Sequence, residues 1–186
     1  MHSALIFLRH AETKKDETLL DEQWTITDAG KKSAEKMADT GVFDDVDVII
    51  SSNMKRAYQT AEPFAARLGE KIIRVPEFNE ISRRKAKMIN KKDYEAIKAR
   101  MFVDLDFAPG GWETARSALS RFKKASEKMD MKYENKKILI VTHGTVMSLF
   151  FASLQNKMYM LHTRWGNLDL LGHGIVKDNK VIKDIV

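Results

Sequence analysis

Four consecutive apolar residues, Leu5-Ile6-Phe7-Leu8, run straight into an arginine-histidine pair, Arg9-His10, and then into Ala11-Glu12-Thr13. An apolar run of this kind reads as a strand buried on both faces, the environment of a strand in the middle of a parallel sheet. Such a strand delivers its last residues to the carboxyl edge of the sheet, where open α/β folds bind their ligands. Arg9 and His10 are therefore expected to be presented at that edge rather than packed beneath it. A second run of the same type, Ile138-Leu139-Ile140-Val141, ends in Thr142-His143-Gly144-Thr145.

Between these two runs strand and helix signals alternate. Thr27-Asp28-Ala29-Gly30 reads as a helix start with Thr27 as N-cap, and Gly41 as its stop. Val46 to Ile50 reads as a strand ending in Ser51-Ser52-Asn53, followed by a helix from Met54 to Leu68 that Gly69 closes and that Pro63 is expected to bend or divide. Lys71 to Val75 reads as a short strand. Lys14 to Trp24 is charged, lacks periodicity and reads as a polar loop. From Pro76 to Gly111 the pattern weakens around one helix at Asp93 to Met101, an excursion from the sheet placed as a lid or wall over a site. Helices from Glu113 to about Lys128 and from Val146 to Leu154 follow, and the tail turns at Asp178-Asn179 as a hairpin. Alternation of this kind predicts a mostly parallel α/β sandwich in a single domain spanning 1-186.

Composition excludes some classes. There is no cysteine, so disulfides and cysteine-ligated metals are ruled out. The longest apolar runs are too short to span a bilayer, and Met1-His2-Ser3 leads into the first strand without a signal-peptide pattern, so a cytoplasmic chain with no membrane partner is expected. The net charge of +6 suits an anionic ligand, but the lysines are scattered in pairs, which reads as solvated faces and predicts no nucleic-acid partner. The densest basic cluster, Arg83-Arg84-Lys85 running on to Lys91-Lys92, is read as a solvated face. Trp24, Trp112 and Trp165 are read as core or cleft-wall residues, and His162 and His173 as surface or half-buried.

Three strand ends then converge on one edge: Arg9-His10, Ser51-Ser52-Asn53 with Arg56 just beyond, and Thr142-His143-Gly144. Bringing two arginines and two histidines together is costly unless an anion binds between them, and a phosphoryl group fits the planar fork of arginine. Helices starting near Met54 and Gly144 would aim free backbone N–H groups at the same point. The chemistry that fits is nucleophilic attack on phosphorus by one nitrogen of His10, the other being held by a backbone carbonyl. Arg9, Arg56 and His143 would balance charge on the phosphoryl oxygens. A carboxylic acid is still needed to protonate the leaving oxygen and then to activate water; Glu12, Glu77, Glu80 and Glu113 are candidates, with Glu80 preferred for its place just past the third strand. This assignment predicts a bell-shaped rate profile on the acidic side of neutral.

Leu8-Arg9-His10-Ala11-Glu12-Thr13, the segment Ser51 to Ala61 with its Arg56-Ala57-Tyr58-Gln59-Thr60-Ala61 core, and Val141-Thr142-His143-Gly144 resemble, in order, the histidine phosphatase superfamily, also called phosphoglycerate mutase-like. Thr25 to Gly30 resembles the family's helix start, and Glu77 to Ile81 the segment that carries its acid. The resemblance implies a three-layer α/β/α sandwich with a mostly parallel central sheet. It makes His10 the phosphohistidine nucleophile, Glu80 the general acid/base, and Arg9, Arg56, His143 and Gly144 the phosphate pocket. It implies neither metal nor organic cofactor, and a small phosphorylated metabolite as substrate. Two residues depart from the pattern: Ala11 stands where the family usually has glycine, and Asp16 falls where many members carry a phosphate-contacting Asn. Within the family the short excursion favours a phosphatase over a phosphoglycerate mutase-type phosphotransferase or a protein phosphohistidine phosphatase. A phosphate-binding regulatory protein without turnover is the reading from another class.

Overall fold

The computed structural model describes residues 3–16, 18–83 and 90–186. Its centre is a six-stranded sheet built from β1 (Ala4–Arg9), β4 (Val48–Ser51), β5 (Ile72–Arg74), β6 (Lys137–Thr142), β7 (His173–Lys177) and β8 (Lys180–Lys183), in the order β5-β4-β6-β1-β7-β8. The first four run parallel; β7 and β8 are antiparallel additions joined through Asp178 and Asn179, both at positive φ. The helices are α1 (Asp28–Asp39), α2 (Lys55–Leu68), α3 (Lys91–Val103), α4 (Ala115–Lys132), α5 (Gly144–Leu154) and α6 (Leu161–Asn167).

Side chains of β1 alternate between two cores, as a strand buried on both faces requires. Ile6 and Leu8 join Ile49, Leu139 and Val141 under Ala38 of α1 and Ala57, Ala61 and Phe64 of α2. Leu5 and Phe7 face the other way, with Ile50, Ile138 and Ile140, into Phe122 of α4 and Phe150 and Phe151 of α5. The chain is thus three layers, α/β/α, as expected.

Register places the site. Arg9 lies opposite Thr142 and Ser51 opposite Val141, so His10, Ser52 and His143 leave the sheet side by side at its carboxyl edge. The segment from Pro76 to Ile81 is tied to the same edge: Thr142 Oγ1 donates to the Phe78 carbonyl at 2.7 Å, and the Asn53 N–H to Asn79 Oδ1 at 2.8 Å. At the start of α1, Thr27 Oγ1 accepts from the Gly30 N–H at 2.9 Å. A Cβ on Gly30 would lie 2.6 Å from the Glu12 carbonyl oxygen, which is why glycine stands there.

Several local expectations are corrected. Pro63 does not divide α2, which runs unbroken from Lys55 to Leu68. The missing N–H costs about 3 kcal/mol, and burial of Ala57, Ala61, Phe64 and Ala65 against the sheet offsets it. The strand expected from Val46 begins at Val48, and α4 runs on to Lys132. The stretch Lys14 to Trp24 is flanked by a two-residue hairpin of β2 (Thr13–Lys14) with β3 (Thr25–Ile26) and holds a 3-10 turn at Asp21–Gln23. The short helix α6 carried no sequence signal. No helix among the described residues is long and apolar enough to cross a membrane.

Candidate active site

His10 follows β1, and its backbone N–H is held by the Thr142 carbonyl of the neighbouring strand at 2.9 Å. Its Nδ1 lies 2.7 Å from the Ala11 carbonyl oxygen, an acceptor only, so Nδ1 carries the proton and Nε2 presents a lone pair. The Nε–H of Arg56 donates to that Nε2 at 3.3 Å. Ala11 is fixed in turn, its N–H donating to Thr60 Oγ1 at 3.0 Å. The methyl group at this position is buried, with the residue 1% exposed.

Arg56 projects from the first turn of α2 and is 5% exposed. Its Nη1 donates to the Asp21 carbonyl at 2.5 Å and its Nη2 to Met54 Sδ at 3.3 Å. Arg9 donates from Nη1 to the Leu168 carbonyl, while its Nε is buried without a hydrogen-bond partner. Gly144 lets Arg9 lie against the start of α5, since a Cβ there would meet Arg9 Nε at 3.2 Å. His143, fully buried at the N-cap of α5, faces His10 with 5.1 Å between ring centroids. Its Nε2 pairs with Ser52 Oγ at 2.8 Å, and its Nδ1 is the second buried polar atom left without a partner. Buried polar atoms are nearly always satisfied. Of the four unpartnered among the described residues, these two nitrogens lie together with Arg56 at the sheet edge, a donor set that suits an anion, while Gln155 Oε1 and Arg164 Nε lie apart beside Asp184.

Of the four candidate carboxylates, one is brought to this pocket. Glu12 accepts from Thr27 Oγ1 at 2.6 Å and belongs to the α1 start. Glu77 is exposed, and Glu113 forms an ion pair with Arg121 at 2.8 Å. Glu80 instead sits at the N-terminus of α5, where its Oε2 accepts the Thr145 N–H at 3.0 Å and its Oε1 the Ile81 N–H at 2.9 Å. Asp16 turns its carboxylate onto Thr18, accepting from the backbone N–H at 2.9 Å and the hydroxyl at 2.5 Å. Lys14 and Lys15 are exposed.

The excursion supplies more than a wall. Arg83 is not solvated: it pairs with Asp21 at 2.8 Å and lies 5.6, 5.3 and 5.5 Å from the ring centroids of Trp24, Tyr94 and Trp112. Residues 84–89 of the basic cluster lie outside the described residues, and Lys92 at its end is exposed, as a solvated face requires. Lys98 of α3, which sequence reasoning missed, is 1% exposed and donates from Nζ to Thr145 Oγ1 at 2.9 Å. A signal existed: Tyr94, Lys98 and Met101 fall at i, i+4 and i+7, placing the lysine on the apolar stripe of its helix. Asp21 and Leu168 contribute carbonyl oxygens, to which side-chain identity gives no clue. Trp24 and Trp112 are buried cleft-wall residues, His162 is exposed and His173 half-buried, as expected.

The cations and burial keep both imidazoles neutral. Burial, then Arg56, lowers His10 from 6.5 to about 3, the Ala11 hydrogen bond opposing; burial, Arg56 and His10 hold His143 well below 6.5. Burial likewise lowers the arginines Arg9 and Arg56 from their ordinary value, against the pull of Glu80 and other acids. A sign for stability follows. Below 6.5 the unfolded histidines take up protons that the folded ones refuse, so their stabilisation, complete above 6.5, is lost as the pH falls toward 3. The slope is at most about 1.4 kcal/mol per pH unit for each histidine. Half-buried His173, lowered by burial and Lys183, acts in the same direction. Thermal unfolding should therefore shift downward between about pH 7.5 and about pH 5.5. Inorganic phosphate, which favours the cationic imidazoles at the site, should reduce the shift; a melting temperature flat over this range, or a phosphate-independent drop, would contradict this electrostatic picture.

Comparison with known proteins bears on family and fold. The family model of the histidine phosphatase superfamily (branch 1) matches residues 5–175. Phosphoglycerate mutase-like protein 4 of Arabidopsis thaliana is 26% identical over 161 residues, 78% of this chain and 68% of that protein. The phosphoserine phosphatase of Entamoeba histolytica superposes with a TM-score of 0.79 at 18% identity, covering 97% of this chain and 94% of the other. A mycobacterial glucosyl-3-phosphoglycerate phosphatase does so with a TM-score of 0.75 at 17% identity, over 95% and 91%. The strand-end motifs, their convergence at one sheet edge and the family match lead to one assignment: the chain belongs to the histidine phosphatase superfamily.

Proposed function

We propose that this chain is a phosphatase that hydrolyses phosphomonoesters through a phosphohistidine formed on His10. The observation that carries the reading is the pairing of an unprotonated, inward-facing His10 Nε2 with two orphaned buried polar atoms, Arg9 Nε and His143 Nδ1. Phosphate oxygens would satisfy both. The guanidinium of Arg56, now resting on Nε2, would move its donors onto a phosphoryl oxygen and free the lone pair for in-line attack. Developing charge on the equatorial oxygens meets Arg9, Arg56 and His143 in a site where burial strengthens each interaction. Glu80 serves the leaving oxygen and then the attacking water. Gly144 gives Arg9 its room, and the N-terminus of α5 adds its dipole.

Substrate class follows from size and neighbours. Pro76, Asn79, Glu80 and Ser82 line a cavity of about 260 Å³ with Asp21, Met54 and Glu113, and the fold neighbours are named for phosphoserine and glucosyl-3-phosphoglycerate. A small phosphorylated metabolite is the substrate that fits, in a single cytoplasmic catalytic domain that needs neither metal nor cofactor. Asp16, an acceptor committed to Thr18, supplies no donor to a leaving group, so recognition of that group falls to other residues.

Hydrolysis of p-nitrophenyl phosphate in EDTA tests the reading. Turnover that is undiminished by the chelator is the expected result. Absence of turnover, with inorganic phosphate still protecting the fold against heat, would instead indicate a binding protein.

A further inference from the structure

Among the described lysines, Lys98 is the buried one, and the steps above give it nothing to do. Its Nζ donates to Thr145 Oγ1 at 2.9 Å and lies 5.4 Å from the Tyr94 ring centroid. An ammonium has donors and no acceptor, so the Thr145 hydroxyl must accept this bond. Thr145 itself is tied to Glu80 by its backbone N–H, which donates to Oε2 at 3.0 Å. The other carboxylate oxygen takes the Ile81 N–H. Each of these bonds donates to Glu80, an arrangement that suits a carboxylate and opposes a carboxylic acid.

We propose that Lys98, by anchoring Thr145 whose N–H holds the carboxylate, keeps Glu80 as a proton acceptor in the free enzyme, so that the proton leaving on the alcohol arrives with the substrate, as the phosphomonoester monoanion. The inference rests on the phosphohistidine reading and changes its first step. A phosphoryl O–H of the monoanion gives its proton to Glu80 as His10 Nε2 bonds to phosphorus. The P–O bond to the leaving group breaks, and Glu80 passes the same proton to the departing alkoxide, which leaves as the alcohol. Water then bonds to phosphorus as the N–P bond breaks, with Glu80 taking one of its protons and returning it to the phosphate. Protons and charge balance in both steps, and no other reactant is needed.

The surroundings of Glu80 agree. Burial pushes its carboxyl up, but the charge of Lys98 and the bonds from Ile81 and Thr145 outweigh burial and hold it below the ordinary value. The other titratable groups that face it are Arg9 at the end of β1 and His10 after it, Arg56 of α2, Asp21 and Glu22, and the Glu113–Arg121 pair, whose arginine donates to the Glu80 carbonyl at 3.0 Å. Arg9 and Arg56 turn to the phosphoryl oxygens when substrate binds. Lys98, held by Thr145, keeps its charge near Glu80. The excursion helix α3 thereby takes part in proton handling, and Lys98 is a positioning residue that works through its neighbour.

The test is the pH profile of kcat/KM for wild type, Lys98→Met and Thr145→Val with two phosphomonoesters of different second ionisation, together with a carbon-13 titration of the Glu80 carboxyl in the ligand-free proteins. In the wild type the alkaline limb should follow the ester's second ionisation. In Lys98→Met the acid limb and the Glu80 titration should both move up by about one pH unit, with the alkaline limb in place; Thr145→Val should move them in the same direction. A Glu80 titration unmoved by either substitution, or an alkaline limb indifferent to the ester, would overturn the proposal. If the wild type shows no turnover, the phosphohistidine reading fails, and the Glu80 titration still decides whether Lys98 holds the carboxylate. Should Lys98→Met not fold, Thr145→Val carries the same decision.

Discussion

Replacing His10 with alanine is expected to lower turnover of any phosphomonoester by at least about 10⁴-fold, the scale on which loss of a covalent nucleophile acts. The reason is geometric. Nε2 of His10 is the ring nitrogen of the pair left free to attack, since His143 Nε2 is taken by Ser52 and its Nδ1 must donate if it is to bind an oxyanion. The ring of His10 is half-buried and makes few bonds, to Ala11, Thr13 and Arg56, so the variant should fold. It should still bind inorganic phosphate, because Arg9, Arg56 and His143 remain. Steady-state kinetics alongside phosphate-dependent thermal protection separates the two effects. Turnover within tenfold of wild type would mean that another residue attacks.

Arg56→Met should cost about 10³-fold in kcat/KM, the upper range for losing a preorganised donor to a developing oxyanion. Methionine keeps most of the volume of a side chain that is 5% exposed, so packing against α2 survives. The charge does not, and its loss has a second consequence. Arg56 is the second cause, after burial, of the depressed protonation of both histidines, so both should titrate at higher pH in the variant. Proton NMR of the imidazoles reads that change directly, with His10 rising from about 3 toward its ordinary value. A kinetic loss without movement of either titration would reduce Arg56 to a substrate contact. Full activity would remove it from the pocket.

How much of this was legible in the residues depended on the length of each signal. The buried runs Leu5 to Leu8 and Ile138 to Val141 are strongly apolar, and the parallel register carries their last residues to one edge without further information. Arg9, His10, Arg56, His143 and Glu80 could be listed before any coordinates because each follows an element end. Gly144 followed from the helix start. Elements of two to seven residues, such as β2, β3 and α6, are too short to show a period. Pro63 misled because the local cost of a missing N–H is visible in sequence and the burial that offsets it is not. Arg83 was opaque for a related reason: a cation in a weakly patterned segment reads as solvated until the aromatic rings around it are seen, and for Lys98 the one sequence signal, its place between Tyr94 and Met101 on the helix stripe, says nothing of the hydroxyl it meets.

The central claim is a covalent phosphoryl group on His10, and trapping it tests that claim most directly. Wild-type protein would be mixed with a phosphorus-labelled monoester, quenched within the first turnovers, and digested. A label that survives base, is lost in mild acid and maps to the peptide holding His10 is the predicted result, and it should be absent from the His10→Ala protein. A label on another residue, or turnover with no labelled protein at any quench time, would contradict the account.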